Sequence, residues 1–147
     1  MHVSITRLKL RRWYLLPFFF FFNFFIIGKF RRAQGMIQGK VIADYTMAFW
    51  TVTLWQNEAA MLAFRNRGMH LKAMAKTPEW ASEAAAYSWT CADGDFPAWA
   101  EVCDKLKTLG HFSTLKYPSE NFKRREFSCE EKFLNVMFFR GKGCAIQ

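Results

Sequence analysis

The first ten residues alternate between hydrophobic and polar side chains. Val3 and Ile5 fall on one face of an extended chain, whereas Ser4 and Thr6 fall on the other. Because successive side chains of a strand point to opposite faces of a sheet, this period of two predicts a first β-strand over residues 2–10.

A continuous apolar run, WYLLPFFFFFNFFII, occupies residues 13–27 and follows the basic sequence RLKLRR. With Pro17 suited to the first turn, the run predicts a helix over residues 16–33. Fifteen helical residues rise only about 22 Å, which is short of the roughly 30 Å hydrocarbon core of a bilayer. The favoured interpretation is a helix buried on most of its circumference in a soluble domain, and the alternative is a membrane anchor.

Shorter segments follow and complete one fold pattern. Asn57 is a suitable N-cap for a second helical region over residues 58–76, which is expected to end before Pro78. Segments rich in strand-forming residues lie at 36–43, 47–55 and 84–91. The order is therefore β-α-β-β-α-β, an α+β arrangement of the ferredoxin-like type.

One more helix and an extension complete the chain. Pro97 stands near the predicted start of this helix, Gly110 follows its end, and apolar residues recur between them at helical spacing. The last segment carries mixed charge and has no sustained period. The chain therefore divides into one domain over residues 1–110 and an irregular C-terminal extension over residues 111–147.

Basic residues are concentrated near the N-terminus. The formal net charge is +9, and eight of the 21 lysines and arginines precede the first acidic residue, Asp44. No recognition helix, zinc finger or RNA-binding motif accompanies them, so nucleic acid is not the expected partner. One hypothesis is a basic membrane-surface protein anchored through residues 13–27, whose neighbouring bases meet anionic headgroups: Arg11, Arg12, Lys29, Arg31 and Arg32.

The four cysteines argue against a structural metal site and against secretion. Cys91, Cys103, Cys129 and Cys144 are separated by 12, 26 and 15 residues, so they form no CxxC pair of the kind found in zinc sites. A domain with 52% hydrophobic residues does not need disulfides for stability. We therefore expect reduced thiols, a cytoplasmic location and no metal ion.

Residues 49–89, FWTVTLWQNEAAMLAFRNRGMHLKAMAKTPEWASEAAAYSW, resemble the antibiotic-biosynthesis-monooxygenase-like families of the dimeric α/β-barrel superfamily. The shared features are the strand ending in TLW, the helices EAAMLAF and GMHLKAM, and a closing strand that contains Trp89. The N-terminal strand HVSITRLKLR and the hairpin strand AQGMIQGKVIAD extend the resemblance over about residues 1–110. Proteins of the DUF3291 kind and relatives of spheroidene monooxygenase are the most similar.

The resemblance implies a dimer in which two sheets meet, with a pocket between each sheet and its own helices. Some members of the superfamily oxidise polycyclic phenols without a cofactor, some bind and degrade haem, and spheroidene monooxygenase oxidises a carotenoid. The implied function is that of a monooxygenase-like protein for a hydrophobic small molecule that is a polyene, polycyclic or haem-like, with either haem or no cofactor. A homodimer is also expected because a four-stranded sheet this rich in aromatic residues would expose an apolar face as a monomer. A non-catalytic ligand-binding or stress-related dimer of the same fold is the alternative.

By resemblance, the candidate pocket lies between strand 49–55 and the helices 16–33 and 58–76. His70 is the first candidate catalytic residue, because a neutral imidazole can act as a general base or ligate haem iron. The haem-ligating histidine of the haem-degrading branch corresponds to Met74, one turn after His70. A packing role on the helix is the alternative for His70.

Glu83 is the second candidate catalytic residue, since burial that raised its pKa would suit it to proton transfer. Pairing with a base at the sheet edge is the alternative. His70 is expected to point toward the strand that carries Phe49 or Trp50. The candidate ligand-binding side chains, which are otherwise core residues, are Phe22, Trp50, Trp55, Met74 and Trp80.

Overall fold

The computed structural model describes residues 1–92 and 94–142, and this part of the chain contains six strands and five helices. The strands are β1 (His2–Leu10), β2 (Met36–Asp44), β3 (Ala48–Trp55), β4 (Ala81–Thr90), β5 (His111–Phe112) and β6 (Phe133–Arg140). The helices are α1 (Leu16–Phe30), α2 (Glu58–Arg65), α3 (Gly68–Trp80), α4 (Trp99–Leu109) and α5 (Glu120–Lys123). Cys144 lies outside the described residues.

All six strands form one antiparallel sheet in the order β5-β4-β1-β3-β2-β6. Strand β1 lies between β3 and β4, so Ile5 is opposite Val52 on one side and Tyr87 on the other. Helix α1 follows β1, and α2 and α3 follow β3. The inner strands β4-β1-β3-β2 and these helices confirm the predicted ferredoxin-like α+β fold.

Side-chain alternation gives the sheet two different faces. The first, here the α4 face, carries apolar side chains that are fully buried: Val3, Ile5, Trp50, Val52 and Leu54. The second, here the cavity face, is more polar and lies toward α1, α2 and α3; it includes Ser4, Thr6, Thr51 and Thr53. The fold therefore places an apolar core on one side of the sheet and a cavity on the other.

The chain covers the α4 face with its own residues. Helix α4 buries the side chains that point toward the sheet, which are Trp99, Val102, Cys103 and Leu106. The ring of Trp50 contacts Trp99 at 4.7 Å and Phe127 at 5.7 Å between ring centroids. The physical argument for a homodimer was an open apolar sheet face, and it fails because α4 and the C-terminal extension occupy that face.

The segment after residue 110 adds regular structure, so the expectation of an irregular extension over 111–147 was wrong for its described part. Strand β6 pairs along β2, with Arg140 opposite Gln38 and Phe133 opposite Asp44, and β5 pairs with β4. Strand β6 is an edge strand that is partly exposed on both faces. Such a strand needs no alternation of apolar and polar residues, and FLNVMFFR shows none.

Helix α1 is largely exposed, which corrects the expectation of a helix buried on most of its circumference. Only 17% of the stretch Trp13–Phe30 is buried. One stripe of the helix packs against the sheet and α3, while the opposite stripe is uncovered by any described element. By length and composition alone, this stretch is long and apolar enough to cross a membrane.

Helix α3 continues through Pro78 to Trp80 instead of ending before the proline. Pro78 lies in the last turn, where its missing N–H costs a single helical hydrogen bond. The backbone N–H of Ala81 then donates to the carbonyl of Thr77 and closes the helix. Strand β4 therefore begins directly after the helix, ahead of the predicted residue 84.

Candidate functional site

A cavity of about 730 Å³ lies between the cavity face of the sheet and helices α1, α2 and α3. Strands β1, β3 and β4 form its floor, and one stripe of α1, together with α2 and α3, forms its roof. This is the position at which the family resemblance implied a pocket, between strand 49–55 and the helical segments.

Hydroxyl side chains from three neighbouring strands line the floor of the cavity. Across the strand pairs, Thr6 is opposite Thr51, and Ser4 is opposite both Thr53 and Ser88. All five line the cavity, and the hydroxyl of Thr53 donates to the backbone carbonyl of Ser4 at 3.3 Å. The floor therefore offers hydrogen-bond donors and acceptors to the polar atoms of a ligand.

Aromatic side chains form the roof. The inner stripe of α1 recurs every three or four residues and consists of Phe19, Phe22, Ile26 and Phe30. Phe22 meets Trp80 at 5.5 Å, and Phe19 meets Phe49 at 4.6 Å, between ring centroids. These contacts hold flat rings against the cavity, which suits the binding of a planar or extended apolar molecule.

His70 lines the cavity from α3. Its Nδ1 lies 3.3 Å from the carbonyl oxygen of Arg65, and because a carbonyl only accepts, we assign the ring proton to Nδ1. This leaves Nε2 as an acceptor. Burial lowers the pKa of His70, so the imidazole is neutral at neutral pH. The rings beside it are Phe64 at 5.6 Å and Phe30 at 6.4 Å, on α2 and α1, instead of the expected side chains of strand β3.

Four of the five predicted ligand-binding residues line the cavity: Phe22, Trp55, Met74 and Trp80. Trp50 does not. It is fully buried on the α4 face, and its indole N–H donates to the Asp44 carboxylate at 2.8 Å. The reason is strand alternation, since Phe49 and Thr51 point into the cavity and the residue between them must point away.

Glu83 also lies on the α4 face, away from the cavity. Its carboxylate pairs with the guanidinium of Arg7, and both side chains are almost fully buried. The hydroxyl of Ser119 donates to the second carboxylate oxygen at 3.0 Å. Arg7 lies over the rings of Trp50 and Phe127. The alternative for Glu83, pairing with a base, is the arrangement in the structure, although the pair is buried and its arginine lies on the central strand β1 instead of at the sheet edge. A proton-transfer role in the cavity is not supported.

Sequence reasoning missed several polar side chains of the cavity, among them Asn23, Arg65 and His111. Asn23 interrupts the phenylalanine run, and its amide N–H donates to the Phe19 carbonyl at 2.9 Å. The available signal was its spacing, because a residue four after Phe19 and three before Ile26 must lie on the same stripe of a helix. The floor could have been found in the same way, because Ser4 and Thr6 alternate with apolar residues along β1 and therefore share one face of the sheet.

The lining of the cavity, among the residues that the structure describes, includes no carboxylate, lysine or cysteine. Its nitrogen-bearing side chains include the imidazoles of His70 and His111 and the guanidinium group of Arg65. Arg7 also contributes to the lining, but its guanidinium pairs with Glu83. Residues 1–92 and 94–142 also contain no cluster of three potential metal ligands. The chemistry available in the cavity is therefore apolar binding, hydrogen bonding to hydroxyls, pairing of a guanidinium with an anionic group, and proton transfer at the His70 imidazole.

Residues 26–116 match the model of a protein family described as "Domain of unknown function (DUF3291)". The matched stretch begins in the second half of α1 and includes α2, α3, His70 and the floor strands β3 and β4. No curated protein matches the chain.

Several solved structures share the fold. A proposed antibiotic biosynthesis monooxygenase from Deinococcus radiodurans is 14% identical over 67% of this chain and 99% of its own, with a TM-score of 0.55. A Mycobacterium tuberculosis protein is 12% identical over 65% of this chain and 100% of its own, with a TM-score of 0.57. A variant of SnoaB, a cofactor-independent oxygenase from Streptomyces nogalater, is 12% identical over 66% of this chain and 97% of its own, with a TM-score of 0.52. At these identities, the likeness concerns the fold alone.

Proposed function

Because the chain belongs to the DUF3291 family and has a monooxygenase-like fold, we propose that it binds a flat or extended hydrophobic molecule and oxidises it without a cofactor. The observation that carries this proposal is one cavity that combines an aromatic roof, a hydroxyl floor and a neutral histidine. Its volume of about 730 Å³ is within the usual range for sites that bind small molecules.

A monooxygenation places one oxygen atom of O2 in the product and needs two further electrons to reduce the other atom to water. When no cofactor takes part, the substrate itself must supply these two electrons. A tricyclic phenol with a ring CH2 group meets this requirement. The CH2 carbon loses two hydrogens and gains one oxygen atom of O2 as a carbonyl, and the second oxygen leaves as water. His70 would accept the phenol proton at Nε2, making the ring electron-rich enough to react with O2, and would return the proton to the departing oxygen.

Haem is an alternative occupant that the family resemblance implies. His70 would hold the haem iron through Nε2, since its Nδ1–H already bonds a backbone carbonyl, as metal-ligating histidines commonly do. Met74, where the haem-degrading branch has its ligand, also lines the cavity from α3. When bound, haem would supply iron-based activation of O2. A Soret band in freshly purified protein, lost in His70→Gln, would support this occupant.

Non-catalytic binding is the second candidate function, and a specific observation favours it. The cavity lining, within the described residues, offers no carboxylate to act with the imidazole as an acid–base pair. An aromatic roof and hydroxyl floor are enough for a protein that only holds a polyene or polycyclic ligand.

Oxygen uptake with dithranol, a tricyclic phenol with a ring CH2 group, tests the proposal. We expect turnover by the unmodified chain and a loss of about 100-fold or more in kcat for His70→Gln, with substrate affinity nearly unchanged. His111→Gln is the matched control, because it removes the other imidazole of the lining. Binding of dithranol without oxygen uptake would support the non-catalytic alternative, and full turnover by His70→Gln would contradict the role of this residue.

A homodimer remains a proposal that rests on the family resemblance. Light scattering at micromolar concentration should give about twice the chain mass of 17.3 kDa. A stable mass of one chain would contradict it, and would agree with a sheet face that α4 already covers.

A further inference from the structure

The outer surface of α1 and of the turn before it carries an exposed aromatic patch. Its members are Trp13, Tyr14, Phe18, Phe20, Phe21, Phe24 and Phe25. Phe24 is 76% exposed and Trp13 is 81% exposed. The rings also contact one another, with Phe25 5.0 Å from Phe21 and 5.7 Å from Phe24 between centroids. Exposed apolar residues that occur singly are ordinary, but a contiguous group of this size marks a binding surface.

Positive charge borders the patch at both ends. The flanking bases are Arg11, Arg12, Lys29, Arg31 and Arg32, and all except the half-buried Arg11 are exposed. Residues 1–43 contain no aspartate or glutamate to neutralise them. The partner of this surface must therefore accept aromatic side chains at its centre and present negative charge around them.

The helix is fixed to the domain along its length. Before it, the backbone N–H of Arg11 donates to the Trp80 carbonyl at 2.9 Å, and after it, the N–H of Lys142 donates to the Arg31 carbonyl at 2.8 Å. Ile26 and Phe30 of its inner stripe belong to a buried core cluster. Crossing a bilayer would require this cluster to open, so the helix can meet a membrane only with its outer side, lying parallel to the surface.

From these observations we infer that the aromatic patch docks on the surface of an anionic phospholipid bilayer. Aromatic side chains enter the boundary between headgroups and acyl chains, and the bases contact lipid phosphates. A second copy of this chain fits less well, because pairing α1 with α1 brings the two sets of bases together. The predicted cytoplasmic location agrees with this partner, since the cytoplasmic leaflet is the anionic one. Docking does not depend on the proposed function, although the same helix roofs the cavity.

Co-sedimentation of the full chain with vesicles tests the inference. The vesicles contain either phosphatidylcholine alone or equal parts of phosphatidylcholine and phosphatidylglycerol. We expect binding to the anionic vesicles that weakens at high salt, and Phe21→Ser/Phe24→Ser should lower the partition coefficient by about tenfold or more. Arg31→Glu/Arg32→Glu should also lower the partition coefficient by about tenfold or more, because each base near the membrane surface contributes about fivefold to binding.

Matched controls place the same changes elsewhere on the surface. Leu134→Ser/Phe138→Ser removes two exposed apolar side chains from β6, and Lys132→Glu/Arg140→Glu makes the same change in net charge. Each control should bind anionic vesicles within about twofold of the unmodified chain. As an independent readout, brominated lipid should quench tryptophan fluorescence of the unmodified chain, and Trp13→Phe should remove most of that quenching.

Four results would overturn the inference. They are no binding to anionic vesicles, equal binding to neutral vesicles, equal losses in the patch variants and the controls, and a dimer in solution that Phe21→Ser/Phe24→Ser separates while vesicle binding is unchanged. The last result would assign the patch to a second copy. The vesicles contain no ligand for the cavity. None of these outcomes therefore bears on whether the cavity binds or oxidises a hydrophobic molecule.

Discussion

Replacing Glu83 with glutamine removes the carboxylate that neutralises a buried guanidinium. The Arg7 and Glu83 side chains are only 3% and 6% exposed, so the cation left behind cannot recover its hydration. Removing one partner of a buried ion pair typically destabilises a protein by about 3–5 kcal/mol. That is a large part of the total stability of about 5–15 kcal/mol expected for a small domain. Glu83→Gln should therefore lower Tm by about 10 °C.

Thermal and urea unfolding, followed by circular dichroism, measure this change. Glu79→Gln is the control, because it removes a carboxylate from an exposed ion pair. Glu79 is 68% exposed, and its Oε1 lies 3.9 Å from Lys116 Nζ. Its loss should change the free energy of unfolding by less than about 0.5 kcal/mol. Removing both buried charges, in Arg7→Met/Glu83→Leu, should restore much of the lost stability. If Glu83→Gln leaves stability unchanged but abolishes substrate turnover, the structural role assigned to Glu83 is wrong and its predicted catalytic role returns.

Two further predictions concern titration. Burial lowers the pKa of His70 and of His2 below the ordinary 6.5, so the unfolded chain binds protons that the folded chain does not, and the free energy of unfolding should fall as pH drops below about 6.5. In urea titrations at successive pH values, His70→Gln should make the free energy of unfolding depend less steeply on pH. An unchanged pH dependence would show that burial does not lower the pKa of His70. A hydrogen bond from Cys103 and the nearby Lys107 lower the pKa of the Cys129 thiol to about 7, so its alkylation by iodoacetamide should reach half its maximum rate near that pH. A midpoint at the ordinary value of 9.0 would contradict this arrangement.

The sequence predicted best where one face of an element is buried and the other is not. Strand β1 pairs on both sides and covers a core, so its alternation is strong. Strand β6 lies at the edge, so its two faces have similar surroundings and its sequence carries no period. The order of the inner four strands was predictable from length, turns and period, whereas the sixth strand was not.

The candidate site was predictable in part. His70, Trp55, Trp80, Met74 and Phe22 were expected in the cavity and do line it. The wrong predictions for Trp50 and Glu83 had a common cause. Each residue lies on a strand and was assigned to the pocket by its chemistry, without a decision on which face of the strand it occupies. Parity along the strand would have excluded Trp50, since it lies between two residues that face the cavity.

Helix α1 shows a different limit of sequence reasoning. A run of phenylalanines is apolar on every side, so its pattern cannot tell the side that packs from the side that does not. Burial was inferred from hydrophobicity alone, but the helix lies across the outside of the domain. Its inner stripe contacts the sheet and α3, with further ring contacts at the edge from Phe18 and Phe20. Whatever contacts the outer stripe lies outside the domain. The periodicity of hydrophobic residues reflects packing within the chain, so it does not identify that partner.

The central question for this protein is whether the cavity itself holds a hydrophobic ligand. Ala86 lies on the floor opposite Thr6, so Ala86→Trp places an indole in the cavity, while Ala75→Trp adds the same group to an exposed position of α3 outside the lining. Binding of dithranol and of retinol, a polyene, would be followed by fluorescence. We expect Ala75→Trp to bind at least one of these probes like the unmodified chain, and Ala86→Trp to bind it about tenfold or more weakly. Equal affinity in Ala86→Trp, or no binding of either probe by the unmodified chain, would contradict the assignment of this cavity as the ligand site.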